Sequence, residues 1–242
     1  MARQTKIKQD RLEQIKDMLV QNTDGSYIQK SGTDYIIKFQ EYVKNKFSKK
    51  SKNLQLFTVD KILELGHKKN NVSFAGINDF KYVCSVTTQK LKISADLIRE
   101  NEKIIIKEDT ITQDGQKIIY ESKGVVYLIT CMINNDEYII KFGQTRKTFK
   151  ERLDSYNCGV ILNLGTASTT NIHILQSLLA NEFEYKIYIC DCSDVIEQFK
   201  WHGIKSREFA SSKSLAFENI ILKEFKKEFG SLPVANTQVE DE

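Results

Sequence analysis

The stretch from Gly124 to Tyr156 constrains the fold of this 242-residue chain more than any other. Gly124-Val125-Val126-Tyr127-Leu128-Ile129-Thr130 is rich in β-branched and aromatic residues, as strands are. The polar group Asn134-Asn135-Asp136-Glu137 interrupts it, and a second apolar run, Tyr138-Ile139-Ile140-Lys141-Phe142, ends at Gly143. Two such runs around a short Asn/Asp turn predict a β-hairpin. Thr148-Phe149-Lys150-Glu151 then has capping-box form, with Thr at the N-cap and Glu three residues on, which starts a helix. Arg152 and Tyr156 lie one turn apart on that helix and share a face. Hairpin and helix together bring the phenols of Tyr127 and Tyr156, the Lys141 ammonium and the Arg152 guanidinium into one neighbourhood.

The register of the hairpin decides whether that neighbourhood exists. Side chains alternate across a strand, so a two-residue turn at Asn135-Asp136 puts Tyr127 and Lys141 on opposite faces. They share a face only with an odd loop, such as Asn134-Asn135-Asp136, or with a bulge.

A helix predicted to end at Gly230, with Pro233 just beyond, supplies a carboxylate. Leu215, Ile221, Leu222, Phe225 and Phe229 form one stripe at helical spacing, and Glu218 falls within it. A carboxylate facing a core is costly unless it is paired or binds a cation. Glu218 is therefore either one half of a structural Glu–Arg pair or a metal ligand, and the second reading is preferred. Arg152 borders the inner face made by Phe149, Leu153 and Tyr156. It is either a snorkelling surface residue or, beside Lys141 and Glu218, a phosphate clamp, because guanidinium presents a bidentate fork to phosphoryl oxygens.

In order and spacing these features resemble the GIY-YIG nuclease superfamily. The first motif reads G-V-V-Y, with Tyr127 one residue further from its glycine, and the second reads K-F-G, with Lys141 in place of the second tyrosine. The lysine variant, with Tyr156 one turn after Arg152, is similar to the type II restriction-endonuclease branch of restriction–modification systems. The resemblance covers residues 121–242. It implies an α+β domain with a three-stranded antiparallel or mixed sheet flanked by helices, and a hydrolase cutting phosphodiester bonds in double-stranded DNA. It further implies Tyr127 as base, Arg152 and Tyr156 on the scissile phosphate, Glu218 holding one Mg²⁺, and Asn236 bracing the site. Asn236 could equally be a simple turn residue. A neighbouring Lys141 ammonium would favour the phenolate of Tyr127, which ionises near pH 10 in water. Cutting both strands at one site implies a homodimer on duplex DNA, with no small-molecule cofactor. The alternatives are a phage-type or mobile-element nuclease of the same superfamily, or a non-catalytic DNA-binding protein on a decayed nuclease fold.

Charge divides the chain unevenly. Residues 1–120 carry 22 Lys+Arg against 15 Asp+Glu, whereas 121–242 carry 14 against 17. DNA attraction is therefore expected from an N-terminal, mainly helical recognition region (1–120), especially Lys44, Lys46, Lys49, Lys50 and Lys52 around Phe47. A solvated linker is the other reading of that run. Gln144, Arg146 and Lys147, between the hairpin and its helix, are further candidate DNA contacts. No apolar run approaches the roughly 18 residues of a membrane span, and MARQTKIKQD has no signal-peptide character. The five scattered cysteines have no C-x-x-C or nearby histidine to make a zinc site. They read as reduced thiols in the cytoplasm.

Elsewhere the patterns predict helices over 4–21, 58–69 (Thr58 as N-cap), 94–101 (Ser94 as N-cap) and 171–182, and a strand over 185–190. Residues 34–47 fit helix or strand. Strands at 103–107 and 117–119, flanking Gln113-Asp114-Gly115, complete a winged-helix-like order.

Overall fold

The computed structural model describes residues 5–192, 195–197, 200–205, 209–211 and 213–236. The chain begins with β1 (Thr5–Lys6), α1 (Gln9–Ile15), β2 (Leu19–Gln21), β3 (Tyr27–Gln29), α2 (Gly32–Lys46), α3 (Ser48–Ser51) and α4 (Val59–Leu65). It continues through β4 (Lys81–Gln89), β5 (Lys92–Ile93), β6 (Ile98–Glu100), β7 (Lys103–Ile106) and α5 (Gly115–Tyr120). The hairpin β8 (Val125–Ile133) and β9 (Asp136–Thr145) follows, then α6 (Phe149–Tyr156), α7 (Thr169–Asn181) and β10 (Tyr185–Asp191). Four short strands, β11 (Val195–Glu197), β12 (Lys200–Trp201), β13 (Ile204–Lys205) and β14 (Phe209–Ser211), precede α8 (Lys213–Phe229).

These elements form two compact units that interleave along the chain instead of meeting at one point near residue 120. Unit 1 is Met1–Glu64, Val86–Ile106 and Leu153–Glu184; unit 2 is Leu65–Ser85, Lys107–Arg152 and Tyr185–Glu242.

Unit 1 contains a sheet in the order β1-β6-β5-β3-β2. Helix α2 buries Tyr35, Ile36, Phe39 and Val43, spaced as one helical stripe. Every residue of α7 from Asn171 to Asn181 is buried, so its polar side chains need internal partners. Asn181 donates to the Phe57 carbonyl (3.1 Å), and Ser177 accepts from the Phe57 amide (3.2 Å).

In unit 2, β8 is central, pairing antiparallel with β9 on one side and β10 on the other. Val126, Leu128 and Phe142 on one face meet Ile221, Leu222 and Phe225 of α8, and the Phe142 and Phe225 rings stand edge to face at 5.6 Å. Strand β4, whose residues up to Ser85 belong to this unit, lies beyond β10. The architecture is α+β, as expected, but the sheet has five strands where three were expected. The two additional strands come from residues before 121.

Three local expectations fail. Residues 94–101 are not helical: the Ser94 hydroxyl accepts the Ile98 amide (3.1 Å) in a turn, with Leu97 left-handed at φ 64°, and Ile98–Glu100 is a strand. A Ser that can cap a helix can also close a turn. Residues 115–120 are helix, not strand, so the winged order is not formed; a short apolar run does not distinguish the two. Finally, the first α-helix is Gln9–Ile15, continued by a 3-10 turn over Lys16–Met18, and Thr5–Lys6 and Leu19–Gln21 pair in the sheet. The ambiguous 34–47 segment is helix α2, and Thr58 does cap α4, accepting the Lys61 amide at 3.2 Å.

Candidate active site

The hairpin turns at Asn134-Asn135, both left-handed at φ 51° and 69°, the conformation that closes a two-residue hairpin. From that turn the pairing runs evenly from Ile133↔Asp136 to Thr130↔Ile139. Continued unchanged, it would set Lys141 on the face opposite Tyr127. A bulge between Ile129 and Thr130 absorbs Ile140, so that Ile129 pairs with Lys141 and Tyr127 with Gly143. The bulge puts Tyr127 and Lys141 on one face.

Tyr127 is fully buried, and its ring lies across the backbone of Gly143, where a Cβ would overlap the phenol oxygen and ring. Glycine is therefore required opposite this tyrosine on steric grounds. Phe149, in the first turn of α6, packs on the Tyr127 ring at 5.3 Å. The capping box holds that turn in place: the Glu151 amide donates to the Thr148 hydroxyl (3.2 Å) and the Thr148 amide to the Glu151 carboxylate (3.1 Å). One residue beyond the box, Arg152 points its Nε–H at the Tyr127 phenol oxygen, 3.2 Å away. Tyr156 is buried one turn later on the same helix, in the part of the chain assigned to unit 1.

Lys141 is 7% exposed. Burial brings its pKa down from 10.5 to about 8; the Glu218 carboxylate opposes this and the Arg152 guanidinium adds to it. Its Nζ lies 3.5 Å from the Ala235 carbonyl. Glu218 is half-buried on α8, on the line of buried Ser214, Ile221, Leu222 and Phe225. Asn236 pairs its side chain with the backbone of Phe142, accepting from the amide (3.0 Å) and donating to the carbonyl (2.8 Å). It thereby completes the outer edge of β9 as a neighbouring strand would. Upstream on that edge the His67 carbonyl accepts the Ile139 amide (2.8 Å).

Tyr127, Lys141, Arg152 and Glu218 are thus linked by a hydrogen bond or by charge, with Asn236 bracing the strand beneath them. Of the other candidates, Gln144 accepts from the Ser214 hydroxyl (3.3 Å). Arg146 and Lys147 are exposed in the following turn, Lys147 lying 3.7 Å from Glu151. Lys44, Lys46, Lys49 and Lys52 are exposed in unit 1. Lys50 is instead committed to structure, donating to the carbonyls of Leu164 (2.6 Å), Gly165 (3.0 Å) and Ala167. Sequence reasoning missed Ser214, whose signal was its position one helical turn before Glu218, and the steric role of Gly143.

No family model and no curated protein matches this sequence. Among solved structures, the restriction endonuclease HPY188I in complex with product DNA is similar, at 25% identity and a TM-score of 0.43. The similarity covers 77% of this chain and 94% of that one.

The arrangement offers a phenol that a cation can hold as phenolate, two cations and a carboxylate on one side of a sheet. Among the described residues no three His, Cys, Asp or Glu side chains gather as a metal cage. Glu218 alone does not suit zinc, which wants four ligands. It does suit Mg²⁺, which keeps several waters and takes one or two carboxylates together with substrate phosphate oxygens. No helix among the described residues is long and apolar enough to cross a membrane.

Proposed function

We propose that this protein is a DNA endonuclease of the GIY-YIG type that hydrolyses phosphodiester bonds in duplex DNA. The observation that carries the proposal is the Arg152 Nε–H on the phenol oxygen of the buried Tyr127. A cationic donor at a phenol oxygen favours the phenolate, and a phenolate is the base that hydrolysis by water needs. Tyr127 takes a proton from the water attacking phosphorus. The Arg152 guanidinium, a planar fork of N–H donors that matches phosphoryl oxygens, holds the scissile phosphate. The Lys141 ammonium, on the same face, balances the charge that builds up on the phosphoryl oxygens. Glu218 would hold the Mg²⁺, which supplies charge neutralisation at the leaving 3′ oxygen when bound.

The lysine variant of the second motif favours the type II restriction class, acting as a homodimer on both strands. DNA recognition then falls largely to unit 1. Purified protein incubated with plasmid and Mg²⁺, and the fragment ends sequenced, tests the reading. Discrete bands with one shared end sequence are expected. A smear would replace the restriction class with an unspecific nuclease. Intact plasmid would overturn catalysis and leave a DNA-binding protein on a nuclease scaffold.

A further inference from the structure

A groove crosses the surface of unit 1. Its first part, about 470 Å³, is lined by Lys6, Lys8, Arg11 and Arg99. Its second, about 270 Å³, is lined by Arg11, Tyr42 and Lys46, and Arg11 and Gln14 border both parts. Local structure explains how cations so far apart in sequence come together. Thr5 pairs with Arg99 across β1 and β6, placing Lys6 beside that arginine. Lys8 is the N-cap residue of α1, and Arg11 lies on the outer side of that helix while Leu12 and Ile15 point into the core. On α2, Lys46 follows Tyr42 by one turn, its ammonium 5.5 Å from the ring centroid. The far wall is the 161–166 segment, whose carbonyls at Leu164 and Gly165 are held by Lys50. Lys50 thus shapes the groove without facing a ligand.

Asp10 is the one carboxylate among the described lining residues. Elsewhere in the same unit, cations are neutralised locally. Lys16, Lys38, Lys61 and Lys90 each stand within 3.5 Å of a glutamate. Among the described residues none of the five groove cations has such an ion pair, and the Arg99 Nε is buried with no hydrogen-bond partner. Asp10 and the charge of buried Glu102 near Arg99 offset only part of this positive charge, and like charges gathered with few counter-charges attract a polyanion.

We propose that this groove is a docking surface for the phosphodiester backbone of duplex DNA, contacted through Lys6, Lys8, Arg11, Lys46 and Arg99. The choice of duplex DNA over another polyanion rests on the endonuclease reading. Arg and Lys in such a groove bind phosphate and fix position without reading bases. The groove therefore contributes affinity and salt dependence but no sequence preference.

The test uses the full chain and its Arg11→Gln/Lys46→Gln double variant, with Lys38→Gln/Lys61→Gln as a control of equal charge change. Binding to a short duplex is measured in Ca²⁺ across a salt series, and plasmid cleavage is measured in Mg²⁺ on the same samples. Each lost phosphate contact lowers the slope of log affinity against log salt by roughly 0.9. The groove variant should lose about 1.8 from the slope and bind every sequence more weakly, cutting at unchanged positions. The control should keep the full slope. A full slope in the groove variant, or an equal loss in the control, overturns the groove. If the wild type also cuts in that case, the endonuclease reading stands alone. Groove-dependent binding without any cleavage keeps the groove and removes the nuclease. A wild type that neither binds nor cuts removes both.

Discussion

Tyr35 of unit 1 and Tyr127 of unit 2 are both completely buried, and the hydrogen-bond partners of the two phenols differ in charge. In unit 1, the Tyr35 hydroxyl accepts from Gln29 Nε2 (2.6 Å) and donates to Gln176 Oε1 (2.5 Å). Both glutamines are held in turn, Gln29 by the Leu91 amide (3.0 Å) and Gln176 by the Gly159 carbonyl (2.9 Å). Burial, and after it the charge of buried Glu102, pushes the Tyr35 pKa well above its ordinary value. That phenol is locked protonated between neutral amides. In unit 2, Tyr127 is as deeply buried, but its oxygen receives a guanidinium N–H. The two phenols are equally buried and differ in the charge of the hydrogen-bond partner, the difference on which the proposed role of Tyr127 rests.

The sharpest way to break this comparison is to remove each hydroxyl. Tyr127→Phe should lower cleavage by roughly 10²–10⁴-fold, the contribution of a general base, with the thermal unfolding midpoint nearly unchanged. Tyr35→Phe should do the reverse. It removes both hydrogen bonds of the hydroxyl and leaves the two amides only their direct contact at 3.2 Å, costing about 1–3 kcal/mol of stability, while the rate per folded molecule holds. A rate loss in Tyr35→Phe comparable to that in Tyr127→Phe would erase the distinction.

Next in size is Glu218→Gln. Cleavage in Mg²⁺ should fall by roughly 10²–10³-fold, as when one electrostatic partner of a transition state is lost, and DNA binding in Ca²⁺ should persist. Near-normal cleavage would make Glu218 a structural partner of Lys141 only.

Lys141 gives a pH signature that Tyr35 has no means to produce. With its pKa lowered to about 8, the ammonium is charged below that pH and lost above it, so cleavage should decline as pH rises through 8. Lys141→Met should abolish this falling limb. The same shift acts on stability. Between about 8 and the ordinary 10.5 the unfolded chain binds a proton that the folded chain does not, so stability rises with pH across that window. Lys141→Met should flatten that rise. A falling limb that survives in the variant would assign it to another group.

The smallest effect is expected at Asn236. Replacing it with Ala removes two hydrogen bonds from Phe142, about 1–3 kcal/mol in all. The rate should change less than in any variant above. A loss of rate as large as that of Tyr127→Phe would move Asn236 from bracing the strand to touching substrate.

Much of the site was legible because its signals are local. The asparagine turn, the Thr148–Glu151 capping box and the position of Glu218 within an apolar stripe each concern residues a few positions apart. The misread segments, 94–101 and 115–120, failed for the converse reason. Ser94 and a three-residue apolar run each satisfy two local structures, and long-range pairing chooses between them. The charge argument also changes when the chain folds. The excess that separates residues 1–120 from 121–242 nearly disappears between the units, which hold 17 basic against 14 acidic residues and 19 against 18. What distinguishes unit 1 is the grouping of a few cations in one groove.

By itself, then, the sequence determined a hairpin followed by a capped helix, an amphipathic last helix with a carboxylate on its inner face, and the residue types available for the chemistry. These depend on turn conformation, capping and periodicity, which act within a few residues. The tertiary structure alone decided that Ile140 bulges and so turns Lys141 to the face of Tyr127. It also decided that Arg152 reaches the phenol oxygen, that Lys50 serves a loop, and that Arg99 joins Lys6. A bulge moves register without changing composition, and a groove joins side chains that are distant along the chain. Both are settled by which backbone pairings bury the most surface with every polar group satisfied, a condition on the whole fold.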